Sequence, residues 1–242
     1  MLTEKDTRPY ADAFMHDFVQ NDWESMHTGH SVADAALFRK WLPDRKLYQY
    51  HIRGCHKNVS PELCVAVALD FEYRKTWDKN LVELQPIASS SSAPPNHLTY
   101  YTTKFPFPLQ NRDAVDYRVA VYYPQHQTTV VMSRCGQHPS YPHHKHRVRL
   151  EDYYTVNIFR LASDGKSTEF LYFACHDFKA RIPSGIVGWA AKKAIPEFLK
   201  HIRVAFDSYL EDKGDTWRND PRLSAYIHAD PAGSSAGHDL RT

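Results

Sequence analysis

"IPEFLKHIRVAFDSYL", residues 195–210, is where the hydrophobic period of this chain changes. From Ile195 onward, Phe198, Leu199, Ile202, Ala205, Phe206 and Tyr209 recur at intervals of three and four, one stripe of an amphipathic helix. Upstream the candidate segments read as strands instead: 81–87, 98–105, 114–123, 128–135, 148–161 and 168–178. One long helix after a run of antiparallel strands buries its stripe best by lying across a curved sheet. The class expected is therefore α+β, with helices and strands segregated along the chain.

Working back toward the N-terminus, residues 8–20 have loosely helical spacing, and 35–41 and 47–53 read as two strands joined by a turn at Pro43-Asp44. Ser60-Pro61-Glu62 opens a helix, because serine caps free amides and proline suits the first turn. That helix runs through LCVAVALDF, and a second short helical stretch follows at EYRKTWDKN. The serine-rich ASSSSAPPN (88–96) and GQHPSYPHHKH (136–146) are loops between strands. We place one domain at residues 1–213 and expect a polar, disordered tail over 214–242.

Composition limits what such a domain does. A hydrophobic content of 42 % supplies a core, and a formal net charge of only +2 gives no bulk signal for nucleic acid. The four cysteines, Cys55, Cys64, Cys135 and Cys175, are far apart and form no C-x-x-C pair, which suits a reducing compartment. The N-terminal residues lack an apolar signal region and no stretch reaches membrane-spanning length. The expectation is a soluble, monomeric protein of the cytoplasm.

The sequence carries few candidates for catalysis. His138, His143, His144 and His146 cluster without an intervening carboxylate, in a stretch that reads as a solvated loop, so no metal site is assigned. No nucleophile elbow, phosphate loop or dinucleotide fingerprint occurs. Cys175-His176-Asp177 holds suitable residue types, but neighbours on a strand point to opposite faces. Arg74 and Asp78 are different, being four apart on one helix face. As a surface pair they would add only about 0.2–0.5 kcal/mol, and base-before-acid is the weaker orientation. The alternative is that Asp78 orients Arg74 toward an anionic ligand such as a phosphate. On spacing alone the surface pair is the reading favoured.

Three stretches, taken together, resemble one family: SPELCVAVALDFEYRKTWDKNLVEL, KFPFPLQNRDAVDYR and RIPSGIVGWAAKKAIPEFLKHIRVAF. They are similar to the START domain family of lipid-transfer proteins, in particular its phosphatidylcholine-transfer branch, over about residues 23–210. The resemblance implies a helix-grip fold, a curved antiparallel sheet closed by a long C-terminal helix over a lipid cavity. It also implies that Pro106 and Pro108 lie where one strand leaves the sheet and the next begins, with Asn111-Arg112-Asp113 starting the new strand; Arg112 and Asp113 themselves read as a structural ion pair fixing that corner. By the same resemblance Arg74 and Asp78 match the buried pair that meets the lipid phosphate. Tyr101 and Tyr153 match two aromatic cage positions for a quaternary ammonium, which aromatic faces attract without hydrogen bonds. A third cage position is Ala114, a departure that predicts weaker choline preference unless Tyr117, Tyr100 or Tyr154 compensates.

The resemblance further implies a gate helix holding Pro183, Gly185, Gly188, Trp189, Pro196 and Phe198. Its glycines lower helical propensity, Pro196 is expected to kink it, and Lys192, Lys193, Lys200 and Arg203 give a basic outer side. The expectation is a non-enzymatic protein that carries one phospholipid, phosphatidylcholine or a related glycerophospholipid, between membranes. It needs no cofactor or metal, and its partners are the lipid and, transiently, a membrane surface. A lipid sensor without transfer, and a helix-grip hydrolase or cyclase, are the alternatives.

Overall fold

The computed structural model describes residues 2–15, 23–26, 35–87, 97–177 and 195–220. The helices are α1 (Glu4–Met15), α2 (Pro61–Leu69), α3 (Phe71–Trp77) and α4 (Ile195–Lys213). The strands are β1 (Glu24–Met26), β2 (Ala36–Leu42), β3 (Leu47–His56), β4 (Leu81–Ile87) and β5 (His97–Thr103). They continue as β6 (Arg112–Tyr123), β7 (Thr128–Gly136), β8 (Val148–Arg149), β9 (Tyr153–Leu161) and β10 (Thr168–His176).

One sheet takes all ten strands in the order β1-β2-β3-β10-β9-β7-β6-β5-β4. Every neighbour on that path is antiparallel, and β8 adds to β6 as a short parallel pair. The sheet is open, with β1 and β4 as its edges. The pairing of β3 with β10, from Gln49↔Cys175 to His56↔Thr168, joins the two ends of the β sequence. Side chains alternate between two covered faces. On one face α1 packs against a cluster including Leu2, Ala11, Val119, Val130 and Ile158. On the other, α2 and α4 enclose Val65, Val67, Phe159, Tyr172 and Phe206.

The helix termini follow from local chemistry. Ser60 accepts the Leu63 N–H at 3.2 Å, as a helix cap should. Asp70 ends α2 and caps α3 by accepting the Tyr73 N–H at 2.9 Å. The same buried carboxylate accepts the Tyr209 hydroxyl of α4 at 3.2 Å, while the Tyr73 hydroxyl donates to the Ala205 carbonyl at 2.7 Å. The stripe expected on α4 is the buried one: Leu199, Ile202, Ala205, Phe206 and Tyr209.

Several boundaries differ from those expected. α1 begins before Arg8, because Thr3 and Asp6 cap it: the Thr3 N–H donates to Asp6 Oδ2 at 2.8 Å. The strand expected over 148–161 breaks after Arg149, whose side chain is drawn to Asp113. The chain beyond Lys213 is not immediately a tail. Residues Gly214–Asn219 form a 3-10 turn that buries Trp217 against Tyr209, entered through Gly214 at φ 52°. Pro196 is the second residue of the described α4, and the kink expected there involves residues outside the described ones. Pro183, Gly185, Gly188, Trp189, Lys192 and Lys193 also lie outside the described residues.

The core holds two neutral histidines. Burial lowers His51 to about 4 and His56 to about 3, with Arg53 and Arg203 adding to the effect. His56 stacks on Phe170 at 4.1 Å and meets the Tyr172 hydroxyl at 2.8 Å. Each imidazole ordinarily titrates at 6.5, so their stability contribution is complete above that pH and falls as acid must charge them. Between about pH 7.5 and about pH 5 each site should lose about 2 kcal/mol. Urea denaturation at both pH values should therefore show a smaller drop for His56→Gln than for the wild type. An equal drop would remove His56 from the account.

Candidate functional site

Between the sheet and helices α3 and α4 lies a cavity of about 420 Å³. Its size falls within the roughly 300–1,000 Å³ of small-ligand sites. Phe159 on the sheet, Val67 on α2, and Phe198 and Ile202 on α4 give it apolar walls. Phe198 also reaches Trp77 of α3, with ring centroids 6.0 Å apart.

Arg74 and Asp78 line this cavity together. Asp78 ends α3, its backbone N–H bonded to the Arg74 carbonyl, so the helix end itself presents the carboxylate. Arg74 Nε and Nη2 approach Asp78 Oδ2 at 3.0 and 2.9 Å, while Oδ1 accepts the Asn80 N–H at 3.2 Å. About a quarter of the Arg74 side chain (26 %) is exposed, and Asp78 beside it is almost wholly buried. Burial alone would lower the guanidinium; Asp78, together with Tyr101 and Asp116, outweighs it and the net shift is upward. The surface-pair reading of these residues is therefore replaced by a cavity-facing pair.

Tyr101 and Tyr153 also line the cavity, edge to face with centroids 6.3 Å apart. Burial raises both phenols, and Asp116 raises them further. Ala114 pairs across the strands with Tyr101 and is fully buried, with Leu150 and Tyr153 packed in the same cluster. Position 114 is therefore packed with side chains.

Tyr117 and Tyr154 do not complete the cage. Both point to the α1 face of the sheet, in the cluster of Val130 and Ile158. The Tyr117 ring lies against Gly136, where an added Cβ would come within 1.9 Å of it. Its hydroxyl donates to the Gln137 carbonyl at 3.2 Å, while the Tyr154 hydroxyl accepts from Gln49 Nε2 at 2.8 Å. Tyr100 also leaves the cavity, donating to Asp113 at 2.9 Å and stacking on Tyr141. Strand alternation decides all three, since each neighbours a cavity-facing residue.

Pro106 and Pro108 sit in the connection between β5 and β6, outside the ladder, where Leu109 N–H bonds the Pro106 carbonyl at 3.0 Å. Thr103 pairs with Arg112 at the base of this connection, and Asn111 Oδ1 accepts the Phe105 N–H at 3.3 Å. The ion pair expected between Arg112 and Asp113 is not formed. They are strand neighbours and face opposite ways: Arg112 donates to the Gln110 carbonyl and lies 4.2 Å from the Phe105 ring centre. Asp113 instead receives a fork from Arg149, at 3.1 and 2.8 Å, both side chains almost wholly buried. Burial would raise the Asp113 carboxyl, but Arg149 and Tyr100 hold it below its ordinary value. Arg149 also donates to the carbonyls of Tyr141 and Pro142, anchoring a stretch read from sequence as a free loop.

Sequence reasoning also missed Asp116 and Arg118, a buried pair that lines the cavity. The available signal was the i, i+2 spacing of Asp116 and Arg118 in VDYRV, which places opposite charges on one strand face.

Comparison with known proteins agrees with this architecture. The START domain family profile matches residues 20–212, and the chain belongs to that family. Phosphatidylcholine transfer protein of Mus musculus is 32 % identical over 192 residues, 78 % of this chain and 85 % of that one. StAR-related lipid transfer protein 7, mitochondrial, of Mus musculus is 28 % identical over 179 residues, 72 % of this chain. The match spans 48 % of that longer protein. The crystal structure of human STARD10 superposes with a TM-score of 0.75 at 25 % identity, covering 96 % of this chain and 91 % of that one. No helix among the described residues is long and apolar enough to cross a membrane.

Asp113→Ala would leave Arg149 buried without its fork and should destabilise the fold by about 3–5 kcal/mol. Urea denaturation measures it; a loss below about 1 kcal/mol would mean that the corner is held by other contacts.

Proposed function

We propose that this chain binds one glycerophospholipid, phosphatidylcholine or a related lipid, in the cavity and carries it between membranes without making or breaking a bond. The observation that carries this reading is Arg74: a guanidinium lining a cavity with apolar walls, held by Asp78 from the end of α3. Two of its contacts go to one carboxylate oxygen, and the planar fork has five N–H donors. A phosphate diester can take the others while its acyl chains lie along Phe159, Phe198 and Ile202. Burying those chains is favourable by about 0.8 kcal/mol per methylene. Two of the relatives are named for lipid transfer, one of them for phosphatidylcholine, which supports the same reading.

In this reading Tyr101 and Tyr153 face the head group, and α4 is the element that moves. Its attachment through Tyr73, Tyr209 and the apolar stripe is local, so opening requires less than global unfolding. The carrier works as a monomer in the cytoplasm and touches membranes peripherally. The acids in the cavity support a non-catalytic role, since Asp78 and Asp116 are each bound to an arginine.

Transfer of labelled phospholipid from donor to acceptor vesicles tests this reading. Arg74→Ala should lower the rate at least about tenfold, with Arg74→Lys recovering part of it because lysine lacks the fork. Removing the arginine strands Asp78 and should cost about 2 kcal/mol, below the roughly 3–5 kcal/mol of a fully buried pair. Wild-type transfer rates in folded Arg74→Ala would contradict the assignment.

A further inference from the structure

The cavity has a second charged pole whose chemistry differs from an aromatic enclosure. Asp116, on the cavity face of β6, is 1 % exposed. The Tyr153 hydroxyl donates to its Oδ1 at 2.5 Å, and Arg118 Nη2 donates to its Oδ2 at 3.2 Å. Arg118 is itself fixed, donating to Ser133 Oγ at 2.7 Å and to the Ala68 carbonyl at 2.9 Å. The carboxylate is therefore oriented before any ligand arrives. A carboxylate offers about four acceptor positions, and these two bonds occupy two of them.

The two poles are coupled. Arg74 is close enough to Tyr101 and Asp116 for both to favour its charge. A ligand lying from Arg74 toward Tyr101 and Tyr153 thus passes from a cation held by an acid to an acid held by a cation. A zwitterionic head group, phosphate followed by ammonium, matches that order of charge.

The donors and acceptors of the site distinguish one kind of ammonium from another. A quaternary ammonium has no N–H, is cheap to desolvate, and is held best by several aromatic faces. Here position 114 is alanine, packed under Leu150, and Tyr117 and Tyr154 face the other side of the sheet. A primary ammonium loses more hydration on burial, which only fixed acceptors can offset. Asp116, which lines the cavity, is such an acceptor. Charge-assisted N–H···O bonds are about twice as strong as neutral ones. Selectivity is the difference between the two ligands, and the built carboxylate shifts it toward the N–H donor.

We propose that Asp116 is a specificity-determining residue that receives the ammonium of the head group, and that the cavity takes a primary-amine, ethanolamine-class glycerophospholipid in preference to its choline counterpart. This rests on the phospholipid reading above and goes beyond it in naming the head group.

The test uses the full chain and vesicles holding equal amounts of four lipids with identical acyl chains: phosphatidylethanolamine, its N-methyl and N,N-dimethyl derivatives, and phosphatidylcholine. After equilibration the protein is re-isolated and its bound lipids are quantified by mass spectrometry. Occupancy should fall at each methylation, with the ethanolamine lipid exceeding the choline lipid by about tenfold. In Asp116→Asn, which retains a carbonyl oxygen to accept from Tyr153 but not the charge, that ratio should fall to within about twofold. The wild-type series decides the matter even where the variant does not fold. Equal or greater loading of phosphatidylcholine by the wild type overturns the head-group assignment alone. Loading of none of the four lipids overturns the phospholipid reading itself, and this one with it.

Discussion

An arginine removed from water must be given a counter-charge, and here the end of one short helix provides it. Asp78 terminates α3 and binds Arg74 one turn earlier, so the element that begins at Asp70 also fixes the cavity's cation. Asp70 in turn joins three helices, ending α2, capping α3 and accepting Tyr209 of α4. Folding and site formation therefore share one set of contacts. The apolar stripe of α4 closes over the cavity from the same anchorage that positions Arg74.

The sheet contributes through alternation. Along β6, Ala114, Asp116 and Arg118 face inward, while Asp113 and Tyr117 face outward. The inward set gives the cavity its Asp116–Arg118 pair. Asp113 of the outward set anchors Arg149 and the stretch that follows β7. Buried ion pairs rarely add much net stability over well-packed apolar groups, but breaking one is costly. Two such pairs lie on opposite faces of this one strand, and breaking either would leave a buried charge without its partner.

Much of this was legible in the sequence because it rests on short-range rules. The 3.6 period after Ile195, the Ser60-Pro61 helix start and the limits of β4 were readable from neighbouring residues. The START motifs added the architecture and the meeting of Arg74, Asp78, Tyr101 and Tyr153 in one cavity. What was missed depended on strand parity and distant partners. Arg112 and Asp113 looked paired because they are adjacent, yet adjacency on a strand separates side chains; the true partner, Arg149, lies across the β6–β8 pairing. Tyr117 and Tyr154 failed as cage residues for the same reason. Trp217 was placed in a tail because its surroundings are polar, although Tyr209 gives it an apolar neighbour.

Whether the cavity holds one phospholipid is directly measurable. Native mass spectrometry of the purified chain measures this without a label or a chosen substrate. The structure predicts a complex heavier than the chain by the mass of one glycerophospholipid, with the lipid released intact on denaturation. A sterol in that place, or a chain that stays empty after incubation with phospholipid vesicles, would contradict it.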